Sequence, residues 1–181
     1  MITVGEQIAD MACVFPAWSC KTLDQRTAVW VGHLRPHKTS YSVRIEYTEP
    51  LLPEGRSALF IQPLVEVSSP PLQRQFGNLE GSLPHVYVGH PRTKRRGPFL
   101  CLFDDQADQW TSNDLISNTT VPWTSNWLSC YESWLATGKW FGTGKHIQTQ
   151  VGGRTARAEI LEQINGSTSF TALARHAFST P

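Results

Sequence analysis

Cys101 lies between Leu100 and Leu102, just beyond Gly97-Pro98 and downstream of the cationic run Arg92, Thr93, Lys94, Arg95, Arg96. A thiol at the end of a strand beside a rigid turn can be held in place and still be reached, the combination that nucleophilic cysteines need. Its ordinary pKa is about 8.5, and a neighbouring run of cations would enlarge the thiolate fraction. A cysteine flanked by leucines equally fits a small core hydrophobe, so composition leaves both readings open. Cys130, beside Tyr131, reads as packing, as do Cys13 and Cys20.

A cysteine nucleophile that uses a base would draw on histidine, and His85, His90 and His146 are available. Each also fits a surface or structural histidine, and spacing does not decide which reaches the thiol. No HExxH and no paired Cys/His spacing is present. Asp104, Asp105 and Asp108 read as a solvated turn, so no metal is expected. There is no Walker loop and no GxGxxG, and no cofactor is expected.

Elements must position these groups. Thr3 followed by Glu6 is a capping-box signature, and Val4, Ile8, Met11, Ala12 and Phe15 continue at helical spacing until Pro16. The period then changes to two over Ala28 to Leu34 and Tyr41 to Tyr47, where Tyr41, Val43, Ile45 and Tyr47 face one way and Ser42, Arg44 and Glu46 the other. These predict an antiparallel pair. A third run, Ala58 to Val67, contains Pro63 and predicts an edge position or a bulge. Ser68 to Gly81 reads as a loop, His85 to Val88 as a short strand, and Phe99 to Phe103 as the cysteine-bearing segment.

Seven tryptophans are present, and Trp110, Trp123, Trp127, Trp134 and Trp140 fall close together. A cluster of that kind serves a stacking platform, a ligand pocket or a core. The helical spacing of Trp123, Trp127, Leu128, Tyr131, Trp134 and Leu135, ending at Gly138, favours one packed helix face. Arg154 to Gln163 and Thr168 to Phe178 read as two further helices. The order of elements predicts an α+β fold: an N-terminal helix, an antiparallel meander of about four strands, a central Trp-rich helix, and C-terminal helices on one sheet face.

With 181 residues the chain has room for one core, so residues 1–181 read as a single domain, with a segment of interest at about 84–146 and a helical extension at about 153–179. Lys and Arg number 16 against 15 Asp and Glu, a net charge of +1 that disfavours a globally basic nucleic-acid binder. The local run Arg92 to Arg96 could touch phosphate or serve as a solvated loop. No stretch approaches the ~20 apolar residues that cross a bilayer. No secretory signal opens the chain, which points to the cytoplasm, with free thiols.

The segment from Leu83 to His146 resembles the active-site region of bacterial ubiquitin-conjugating-enzyme homologues, specifically the stand-alone conjugating enzymes of short type II CBASS antiphage systems. The similarity is carried by a His-containing strand, "LCLF" around Cys101, Trp110, and "TTVPWTSNWLSCYESWLATGKW" through Trp140. It implies a ubiquitin-conjugating-like fold and makes Cys101 the thioester-forming residue. His90 and Pro91 resemble the start of an HPN-type motif, with Arg92 in place of its Asn, and His85 is the other candidate for the family histidine. The resemblance further implies acyl transfer in which the C-terminus of a cGAS/DncV-like nucleotidyltransferase is the acyl donor, regulating cyclic-nucleotide antiphage signalling. The alternative keeps fold and partner but makes the protein a noncovalent binding and activating partner with an incidental cysteine.

Overall fold

A computed structural model describes residues 1–51, 62–89, 93–103 and 109–142. Contacts divide the chain after Gln148, and every described residue belongs to the first unit, Met1–Gln148. His90, His146 and the helices expected at 153–179 lie outside the described residues.

Helix α1 (Val4–Val14) begins with the capping box expected from the sequence: the Thr3 hydroxyl accepts from the Glu6 amide, and the Glu6 carboxylate accepts from the Thr3 amide at 2.7 Å. Its buried stripe is Val4, Gln7 and Met11, with Ile8 and Phe15 packed half-buried beside it as expected; Ala12 is exposed instead, and Gln7 is inside. The reason is a polar clamp. Gln7 Nε2 donates to the Asp114 carbonyl at 2.9 Å, and its Oε1 accepts from the Ile116 amide at 3.0 Å. A buried amide with both ends paired costs little to enclose.

Four strands follow as an antiparallel meander, β1 (Ser19–Asp24), β2 (Thr27–Leu34), β3 (Tyr41–Thr48) and β4 (Leu64–Ser69), in that spatial order. Strand β3 shows the expected alternation, with Tyr41, Val43, Ile45 and Tyr47 buried. Strand β1 was not expected, because all six of its residues are exposed and its sequence carries no apolar period. Pro63 falls just before β4, where its missing N–H costs no ladder bond, and β4 lies at the edge of the sheet, as the proline predicted.

The second face of the sheet carries charge. Arg44 on β3 lies opposite Glu66 on β4, with Glu46 two residues further along β3, and Arg95 reaches both carboxylates from the segment before the cysteine, 2.8 Å from Glu46 and paired also with Glu66. Beyond the meander, β5 (Val86–Tyr87) and β6 (Phe99–Leu100) form a two-stranded ladder.

Helix α2 (Thr120–Thr137) ends at Gly138, whose φ of 73° closes the last turn with a hydrogen bond from its amide to the Trp134 carbonyl. That left-handed position is where a glycine avoids the Cβ penalty. The helix buries Val121, Trp127, Leu128, Tyr131 and Trp134, and Trp123 and Leu135 pack against the core half-buried. Trp110 is buried edge-on against Tyr47. The tryptophan cluster is core packing. The loop from 70 to 82 is tied across this helix: Tyr131 Oη accepts from the Gln73 amide, and Gln75 and Asn78 donate to the Leu135 and Gly138 carbonyls. The observed fold is α+β, as the order of elements predicted.

Candidate active site

The ladder that holds Cys101 is short and fixed at both ends. Val86 pairs with Leu100 and Tyr87 with Phe99, and the Cys101 amide donates to the His85 carbonyl at 2.9 Å, which carries the pairing one step further. At the other end, the Gly89 amide donates to the Arg96 carbonyl. Gly97 turns the chain with φ 73°, and a Cβ there would stand 2.6 Å from the Phe99 amide nitrogen, so the turn tolerates no side chain. Phe99 and Leu100 are buried and anchor the strand, while Cys101, immediately after them, is half-buried. The chain thus delivers the thiol from a fixed strand to a position that is not sealed in the core.

The Tyr87 hydroxyl lies 3.0 Å from Cys101 Sγ, and the Phe103 carbonyl oxygen lies 3.5 Å from it. The register explains the first contact. With Tyr87 opposite Phe99, Cys101 is its diagonal neighbour on the ladder, a separation that a long aromatic side chain spans. The second is held because the Phe103 ring packs on Trp123 of α2, centroids 5.5 Å apart.

His85 contributes first through its backbone. Its carbonyl accepts from Trp127 Nε1 as well as from the Cys101 amide, and its φ of 52° places it in the left-handed region, which is uncommon for a residue with a side chain. The imidazole stacks on Trp140 at 4.8 Å, and Trp140 packs on Trp127, which in turn stacks on Tyr131. A run of rings therefore leads from the turn before the cysteine ladder into the face of α2.

The cationic segment is divided in its roles. Arg95 faces Glu46 and Glu66 and lies over the Phe99 ring, so its charge is committed to the sheet. Lys94 and Arg96 are exposed, and Arg92 lies outside the described residues. What Arg95 supplies to the site is placement, by fastening the strand before Cys101 onto β3 and β4.

The remaining thiols differ from Cys101. Cys13 and Cys20 are exposed and do not pack as expected: Cys13 falls off the buried stripe of α1, and Cys20 is on the fully exposed β1. Cys130 is half-buried on α2, and burial pushes its thiol pKa up. Such a thiol is a poorer nucleophile at neutral pH.

Tyr87 is the residue near the sulfur that sequence reasoning missed. Its signal was weak but present: it lies two residues after His85 on the short strand, and the Gly97 turn sets the register that brings it across to Cys101.

No helix among the described residues is long and apolar enough to cross a membrane. No curated protein matches the chain. A family model described as type II CBASS E2 protein matches residues 7–147.

Proposed function

The chain belongs to the type II CBASS E2 family, whose role is in CBASS antiphage systems, and on that premise we propose that Cys101 is the acyl-carrying residue of a cysteine transferase. The observation that supports this reading is the placement of the thiol. It is fixed by the hydrogen bond from the Cys101 amide to the His85 carbonyl, half-buried, and met at 3.0 Å by a hydroxyl.

The chemistry is nucleophilic acyl transfer. The Cys101 thiolate attacks an activated carboxyl terminus, such as an acyl adenylate or another thioester; the C–S bond forms as the leaving group departs with its electron pair. An amine then attacks the thioester carbonyl, the C–N bond forms, the C–S bond breaks, and the amine proton passes to solvent. Thiolate leaves readily, so the second step asks little more of the protein than position. The acyl donor in this reading is the C-terminus of a cGAS/DncV-like nucleotidyltransferase, and the modification regulates its synthesis of a cyclic-nucleotide signal. Residues 1–181 act as one conjugating domain, with the catalytic segment at about 84–146 and the site in the cytoplasm.

Co-expression with the nucleotidyltransferase, followed by denaturing gels with and without reductant, tests the proposal. A covalent species that is lost in Cys101→Ala, and that is sensitive to thiol when trapped as a thioester, is expected. Cys101→Ser should trap a thiol-resistant oxyester. An adduct that survives in Cys101→Ala, or a complex that forms without any adduct, would overturn the reading in favour of noncovalent binding.

A further inference from the structure

Resting on that reading of Cys101, we propose that Trp140 is a positioning residue for acyl transfer. Its indole holds the imidazole of His85, and the His85 carbonyl in turn sets the backbone from which the Cys101 thiol projects. The premise is a chain of contacts. The indole stacks on the His85 ring with centroids 4.8 Å apart and planes 28° apart, and the His85 carbonyl accepts from the Cys101 amide at 2.9 Å.

His85 is the joint where side chain and backbone meet. Its φ of 52° lies in the left-handed region, which a residue with a Cβ keeps only when its surroundings hold it there. Rotation about φ moves the imidazole and the carbonyl together, because both lie beyond the N–Cα bond. Whatever holds the ring therefore holds the acceptor. Stacked aromatic rings attract beyond the area they bury, so the stack favours the conformation whose carbonyl takes both the Cys101 amide and Trp127 Nε1.

Trp140 is itself fixed, as a clamp has to be. Helix α2 stops at Gly138, whose carbonyl accepts from Asn78 Nδ2 at 3.0 Å, and the Lys139 amide donates to Thr137 Oγ1 at 3.2 Å. These bonds set the direction in which the chain leaves the helix. The indole then packs on Trp127, centroids 5.3 Å apart. Past the indole the chain returns at Gly142, where a Cβ would stand 2.5 Å from Trp140 Nε1 and 3.2 Å from Cys130 Sγ. A residue without a side chain leaves the indole where it is. Transfer depends on the alignment of the attacking amine with the thioester carbonyl. In this role Trp140 acts on that alignment through the Cys101 backbone.

Hydrogen exchange read by NMR tests the mechanical link on this protein alone. In Trp140→Leu the Cys101 amide and the Trp127 indole N–H are expected to exchange about three- to tenfold faster, the worth of one aromatic stack. The amides of Val43 and Ile45, in the central strand β3, should keep their rates. An unchanged Cys101 amide, or acceleration of all four groups together, overturns the proposal, since the second is what a merely structural role gives. Discharge of the Cys101 thioester to hydroxylamine is expected to slow about tenfold in Trp140→Leu. It should recover in large part in Trp140→Phe, which keeps a ring on His85; a wild-type rate with Leu, or no recovery with Phe, overturns the role. An adduct persisting in Cys101→Ala, or no adduct at all, removes the transfer reading and this role with it. The exchange measurement, which involves no acyl group, tells the two failures apart. If Trp140→Leu lacks a cooperative melt, Gly142→Ala replaces it. The added methyl displaces the indole without removing it and must speed exchange at the Cys101 amide selectively; no selective rise overturns the proposal.

Discussion

The carbonyl oxygen of His85 accepts a 2.9 Å hydrogen bond from the indole Nε1 of Trp127, a residue 42 positions away in the chain. The same oxygen takes the Cys101 amide. One acceptor thus joins the central helix to the cysteine ladder, using both lone pairs of a single carbonyl. Because His85 sits at a positive φ, its carbonyl direction depends on a backbone conformation that this residue type rarely adopts unaided. The indole bond and the stack of its imidazole on Trp140 hold it there.

Trp127→Phe keeps a ring against Tyr131 and removes the donor. The expected loss is about 1–2 kcal/mol in urea unfolding, from the missing bond and the smaller ring. Trp127→Ala should cost about 3–5 kcal/mol, since the residue is buried among Tyr131, Trp140 and the core. The diagnostic comparison is at the thiol. With the His85 carbonyl no longer pinned from the helix side, alkylation of Cys101 in the Phe variant should become faster and less dependent on neighbours, and equal rates would detach the helix from the site.

Arg95 supplies a second fastening. Its guanidinium bridges Glu46 and Glu66 with side-chain exposures of 33% and 19%, so the pairs are only partly screened by water. Arg95→Met should destabilise by about 1–2 kcal/mol, mostly by leaving two carboxylates close together with Arg44 as their remaining partner. A double-mutant cycle with Glu46→Gln should show a coupling of about 1 kcal/mol. Arg95→Lys is expected to recover only part of it, because a point charge does not reach two carboxylates as a fork does.

Much of this arrangement is legible in the sequence. The capping box at Thr3, the alternation of β3 and the aromatic face of α2 each record one periodicity and one burial decision, and burial enforces such patterns. Strand β1 was illegible for the converse reason: exposed on all six residues, it is held by backbone pairing to β2, which any side chain permits. Gln7 and Tyr87 were missed because their partners are distant in sequence. Gln7 is buried only because Asp114 and Ile116 offer matching backbone groups, and Tyr87 meets Cys101 only through the register of a two-residue ladder. Cys101 was singled out from its turn and its resemblance, whereas the groups around its sulfur needed the fold.

Gln7 gives a clean stability test. Gln7→Ala strips the Asp114 carbonyl and the Ile116 amide of a partner in a site that excludes water, since the side chain is fully buried. A loss of about 2–3 kcal/mol is expected. Gln7→Met keeps most of the volume and loses the same bonds, so it should remain destabilised by about 1–2 kcal/mol. Recovery to wild type with Met would show that the clamp matters only as packing. Thermal melts of the two variants decide it.

The alkaline limit of the fold should be set in part by Tyr41. Burial pushes its phenol from the ordinary 10.0 up to about 12, with the nearby Glu132 and Tyr131 opposing ionisation further. It packs edge-on against Tyr131, which burial also raises. The folded state therefore holds the Tyr41 proton more tightly than the unfolded state does. Its contribution to stability is complete below pH 10, where both states are protonated. Between about 10 and 12 the unfolded chain binds fewer protons, so stability falls as pH rises and that contribution is gone above the folded value. Urea midpoints measured across this range should decline more steeply for the wild type than for Tyr41→Phe, which has no phenol to ionise. Tyrosinate absorbance in the native protein should show one group ionising late, and its disappearance in Tyr41→Phe assigns it. Parallel urea curves for the two proteins would place the alkaline transition elsewhere.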